Sequence, residues 1–87
     1  MSYITDVADL FLSRCQNIKF LSPIDYATIA EWEKQEIPLA IVVDSLNYVF
    51  DNPLQRVDLA NIKSIKDFQS EVRKNFANWL HNYKDME

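Results

Sequence analysis

Apolar residues return every three or four positions in four separate stretches of this chain, the period of helices that each bury one face. In the first stretch Ile4, Val7, Ala8, Phe11 and Cys15 share a face, which Tyr3, Leu10 and Leu12 widen. With Ser2 at the N-cap position, the pattern predicts a helix over about 3–16. In the second, Ser22-Pro23 followed by Asp25 reads as N-cap, N1 and N3 of a capping box, opening a helix over about 23–35. Its apolar arc is Tyr26, Ile29, Ala30 and Trp32, with Glu31, Lys34 and Gln35 outside it.

After a short break at Glu36 and Ile37, Pro38 restarts the chain and predicts a third helix over 38–51. Leu39, Val42, Val43, Leu46, Val49 and Phe50 fall on one face of it. The run Ile41-Val42-Val43 has strand propensity, but the length of the apolar pattern and the opening proline decide for helix. Ile41 and Tyr48 occupy the opposite side, flanked by Asp44, Ser45 and Asp51. A helix apolar all round is a buried one, so the pattern favours burial on two sides; an exposed strip for a partner is the alternative.

Asn52-Pro53 ends that helix, and the irregular segment that follows has room for a short helical turn near 54–59. Ser64 with Asp67 then repeats the serine–aspartate start signal and opens a last helix over about 64–83. Its stripe is Ile65, Phe68, Val72, Phe76, Trp79, Leu80 and Tyr83. The expected fold is therefore all-α, a single small bundle of four main helices within 87 residues. Its expected core holds Val7, Phe11, Ile29, Trp32, Val42, Leu46, Val49, Phe68, Val72 and Phe76.

Composition supports a packed domain. Apolar residues make up 48% of the chain and charged ones 25%, the balance of a globular protein rather than a disordered one. Glycine is absent, which excludes the phosphate-cradling loops and the Asn-Gly hairpin turns that need it. Helices must then end without glycine, and Asn17, Asn52 and Asn82 are the expected substitutes in the left-handed cap position. One cysteine precludes an internal disulfide framework and a cysteine-based zinc site. No apolar run approaches the roughly 20 residues of a membrane span. The acidic residues of MSYITDVADLFL stand where a secretion signal carries basic ones, so a cytoplasmic location is expected.

The net charge of −4 is unevenly spread. Residues 21–51 carry six carboxylates against Lys34 alone, while residues 52–87 carry six basic side chains against five acidic ones. An acidic chain is a poor non-specific binder of polyanions. On a helical wheel, however, Lys63, Lys66, Arg73, Lys74 and Lys84 gather on or beside one side of the last helix, a stripe able to track a phosphate backbone. Its aromatics belong to the apolar stripe instead, where they are not available as stacking platforms for single strands.

No catalytic constellation emerges. His81 has no partners at a ligand or catalytic spacing, Cys15 lies on an apolar face, and no Glu-x-x-His stands ready for a bundle metal site. Neither enzymatic activity, nor a cofactor, nor a metal is expected. The expected activity is non-enzymatic binding to a protein partner or to a second copy. The acidic second helix and the unusual strip on the third supply the candidate surface: Glu31, Ile41, Asp44 and Tyr48.

The order of signals from Ser22 to Trp79 resembles the helical module of DnaD-type primosome proteins of bacteria and phages. The shared elements are Tyr26-x-x-Ile29-x-x-Trp32, an apolar helix through Leu46, Val49 and Phe50, and an aromatic-led helix through Phe68. The resemblance implies a helical fold and a replication-related accessory that touches nucleic acid. That family carries a Tyr-x-x-x-Ile-x-x-Trp motif on its last helix, implicated in DNA binding. Here Val72, Phe76 and Trp79 keep the spacing and the tryptophan but lose the tyrosine; in the other register Phe68 and Val72 match and Asn75 replaces the tryptophan.

Overall fold

A computed structural model describes residues 2–15, 18–52, 62 and 64–85, with side chains as far as 82. The predicted turn near 54–59 lies outside the described residues. Among the described residues are four α-helices: α1 (Tyr3–Arg14), α2 (Pro23–Lys34), α3 (Leu39–Asp51) and α4 (Gln69–Asp85). A turn of 3-10 helix over Ile65–Phe68 leads into α4. There is no strand among the described residues.

The start signals act locally, as their chemistry requires. Ser2 Oγ accepts the Thr5 amide at 3.1 Å. At α2, Ser22 Oγ accepts the Asp25 amide, and the Asp25 carboxylate accepts the Ser22 amide in return. Ser64 Oγ accepts the Lys66 amide at 3.0 Å, but the turn it opens is 3-10 before it relaxes into α4. Pro38 stays extended, with φ −56° and ψ 140°, and its carbonyl accepts the amides of Ile41 and Val42. It is therefore the N-cap of α3 rather than its first helical residue. The first helix stops at Arg14, two residues before the expected end, because the Cys15 backbone turns extended.

The corner between α2 and α3 departs from the expectation about asparagine, and of the asparagines named for it Asn17 lies outside the described residues. Glu36 takes the left-handed conformation, with φ 63°, while Asn52 has φ −131°. The Ile37 amide donates to the Trp32 carbonyl at 3.1 Å and the Glu36 amide to the Glu33 carbonyl at 3.0 Å. These are the two bonds of a Schellman motif, with Glu36 at C′. Ile37 follows it into the core beside Trp32, and its carbonyl accepts the Tyr3 phenol at 2.9 Å. Packing thus chose the cap: an extended Ile37 must point inward, and the residue before it takes the strained angle.

The core runs through the seam of all four helices. Phe11, Phe50 and Phe68 meet with ring centroids 5.1–6.2 Å apart, Phe11 and Phe68 edge to face. Helix α1 packs on α2 and α3, and α3 on α4. Arg14 caps the aromatic cluster: its guanidinium lies 5.2 Å from the Phe50 ring centroid while bonding Asp51 at 2.7 Å and Asn47 at 3.1 Å. Nine of the ten expected core residues are buried; Phe76 is half-buried against the rim. Ile37, Ile62 and Ile65 join them.

Candidate functional site

Two of the grooves lined by described residues bear on the expected sites, and both are bordered by the last helix or the turn that leads into it. The first lies between α3 and α4. These helices run antiparallel: Phe50 meets Phe68 at one end, and further along Asn75 Nδ2 donates to Ser45 Oγ at 2.8 Å. Ser45, fully buried on the core-facing side of α3, donates its own hydroxyl to the Ile41 carbonyl at 2.6 Å. That pair sets the register of the two walls. On the α3 wall stand Ile41, Asp44 and Tyr48; on the α4 wall stand Glu71, Lys74, Asn75 and Asn78, around about 410 Å³.

Of the two expectations for the Ile41–Tyr48 strip, neither describes the whole of it. Ile41 is half-buried against the core, whereas Tyr48 is 44% exposed. Burial on two sides fails at Tyr48 because α4 leaves the α3 flank open there. Asp44 and Lys74 are both exposed, and neither side chain makes a hydrogen bond or ion pair with any described residue. Glu71 sits buried in the first turn of α4, where the helix dipole favours a carboxylate.

The second groove, about 290 Å³, runs between Ile24, Ala27, Thr28 and Glu31 of α2 and the Lys66–Gln69 turn. Glu31 belongs here and accepts the Gln35 side-chain amide at 3.1 Å. The expected partner surface is therefore divided: Ile41, Asp44 and Tyr48 come together, and Glu31 does not join them. The basic stripe is divided too. Lys66 lies in the α2 groove beside Glu31, Lys74 in the α3/α4 groove, and Arg73 is exposed between them along the chain. Lys63 and the Lys84 side chain lie outside the described residues.

Asp25 holds the α2 groove in place. One carboxylate oxygen accepts the Ser22 amide at 2.9 Å and the Ser22 hydroxyl at 3.0 Å. The other reaches 39 residues along the chain to accept the Ser64 hydroxyl at 2.8 Å, and the Ile65 amide at 3.0 Å. Burial pushes this carboxyl up, but the four hydrogen bonds outweigh it, and its pKa lies below the ordinary aspartate value. Tyr3 is also perturbed, its phenol pushed up to about 12 by burial and then by the negative charge of Glu33.

The sequence pattern missed Asn75 and Asn78 as groove residues and Asp25 as a link between α2 and α4. For Asn75 a signal existed: with Glu71 on α4 and Ser45 on α3, it is one of the polar residues that interrupt the faces on which these helices meet. For Asp25 there was none, because its helix-start role already accounted for it. Tyr26 and Trp79, read as part of apolar stripes, are exposed at 44% and 37%. The buried face of α2 is instead Asp25, Thr28, Ile29 and Trp32, and Thr28 satisfies its hydroxyl on the Ile24 carbonyl at 2.9 Å. Among its described side chains, the α4 stripe is buried only as far as Val72; Trp79 stacks on half-buried Phe76 with centroids 6.0 Å apart, and the Tyr83 side chain lies outside the described residues.

Among the described residues no group of three or more His, Cys, Asp or Glu side chains could hold a metal ion. No helix among them is long and apolar enough to cross a membrane. No protein-family model matches the chain, and no curated protein or solved structure matches it.

Proposed function

We propose that this chain is a non-enzymatic protein-interaction module whose binding face is the α3/α4 groove. The observation that carries this reading is the placing of two exposed opposite charges without an ion partner among the described residues, Asp44 and Lys74, on facing walls beside a half-exposed tyrosine. Ion pairs give such a surface register and partner choice, and tyrosine supplies rigid contact area at low entropic cost. Asn75 and Asn78 add amide donors and acceptors at the same face.

Nucleic-acid contact, the replication-related alternative, draws less support. A phosphate backbone is tracked by cations that share a face, and Lys66 and Lys74 line different grooves, the first beside Glu31 and the second beside Asp44.

Affinity capture from an extract of the native cell tests the proposal, with wild type and Tyr48→Ala as baits. A protein held by wild type and lost from the variant supports the groove as the binding face. Equal capture by both baits refutes it. Titration of single-stranded DNA at low salt tests the alternative, and binding that weakens steeply with salt would revive it.

A further inference from the structure

We infer that the α3/α4 groove docks a second copy of this chain, α3 of one copy lying over α4 of the other. The inference rests on the reading of that groove as a protein interface and names its partner. In a two-fold symmetric contact, residue i meets residue j and j meets i, so the surface must be complementary to itself. A two-fold axis along the groove brings each wall against the opposite wall of the partner at the same level. The surface is self-complementary only if unlike charges stand level on the two walls.

Asp44 and Lys74 meet that condition. The Ser45–Asn75 hydrogen bond ties the walls at one level, and Asp44 and Lys74 each lie one residue from it. At about 1.5 Å of rise per residue, their levels differ by no more than about 3 Å. Each lines the groove, and each lacks an ion partner among the described residues of its own copy. Docked about the axis, Asp44 of each copy faces Lys74 of the other, giving two equivalent ion pairs around a centre of Asn75 amides. Tyr48, 44% exposed on the same wall, closes over the partner's α4 one turn away. A polyanion would be repelled by Asp44 and a strongly basic partner by Lys74, whereas a second copy offers each of them its opposite charge.

Charge reversal of the full-length chain tests this. Both residues are exposed, so Asp44→Lys and Lys74→Asp leave folding intact, checked by circular dichroism at each step. Sedimentation of wild type from about 10 μM to about 1 mM, the range of a small interface, shows a concentration-dependent dimer. Each single reversal places like charges in both contacts and weakens the dimer by about tenfold or more. An equimolar mixture of the two variants, in which every contact again joins unlike charges, forms a mixed dimer seen by native mass spectrometry. The double reversal in one chain restores the homodimer.

Wild type that stays monomeric at about 1 mM overturns the inference. So do single reversals that dimerise like wild type, or a mixture that stays monomeric. These results are independent of the capture experiment: a monomeric wild type that still loses a captured protein on Tyr48→Ala removes the second copy and keeps the interface.

Discussion

Replacing Asp25 by asparagine keeps the size and shape of the side chain and removes one acceptor. The aspartate accepts four hydrogen bonds, two from Ser22 at the start of α2 and two from Ser64 and Ile65 at the entry to α4. Asparagine has one carbonyl oxygen, so it can serve one of these pairs; its amide then faces the donors of the other. If the oxygen stays on the Ile65 side, the Ser22 bonds are lost and partly replaced by water. If it turns, the Ile65 amide, in the buried bond of the four, is left without an acceptor. Hydrogen bonds to a charged group contribute about 1.5–3 kcal/mol each and an unsatisfied buried donor costs about 1–3 kcal/mol. Allowing for water at Ser22, the expected loss is about 2–4 kcal/mol, a drop in Tm of ~10–20 °C for a domain of this size. Urea unfolding followed by circular dichroism measures it, with Ser64→Ala as the milder control at about 1 kcal/mol. The effect also has a pH signature. The folded-state pKa of Asp25 lies below its unfolded value of about 3.9, so its contribution is fully present well above pH ~4 and disappears as the pH falls through the folded-state value. Wild type should lose stability steeply below pH ~4, and Asp25→Asn should lose less of it there. A variant within about 0.5 kcal/mol of wild type at neutral pH, with an unchanged acid profile, would show that the link between α2 and α4 is inert.

Glu36→Gly should raise stability by about 0.5 kcal/mol, because relief of a left-handed φ of 63° is worth more than the added freedom of the unfolded chain; a lower urea midpoint would contradict the strain. Tyr3 should titrate near pH 12 in an ultraviolet absorbance titration, and the stability it contributes is complete below about pH 10 and lost as the pH rises through about 12. Tyr3→Phe should abolish that late step; an unchanged titration would place the phenol elsewhere. Trp32 buries its indole N–H with no acceptor among the described residues, so Trp32→Phe removes an unsatisfied donor along with some volume. Its cost should fall below about 2 kcal/mol, less than the ~3–5 kcal/mol of Trp32→Ala, and equal losses would mean that the indole N–H is satisfied.

The all-α class, the four helices and most of the core were legible in the sequence. Ser2, Ser22 with Asp25, and Ser64 announce their helices because a capping bond spans two or three residues and needs nothing from the rest of the chain. The absence of glycine limited the ways a helix could end, but not which residue would bear the strain. Glu36 took it because Ile37 had to reach the core beside Trp32 and Tyr3, a demand set by packing. Helical period likewise identified apolar faces without saying how far a neighbour extends along them, so Tyr26, Trp79 and Tyr48 proved exposed. The groove is the clearest case. Asp44 and Lys74 lie 30 residues apart, on helices whose order in the sequence says nothing of their register. The half-buried contact of Ser45 with Asn75 sets them level across one groove, and only folding makes that contact.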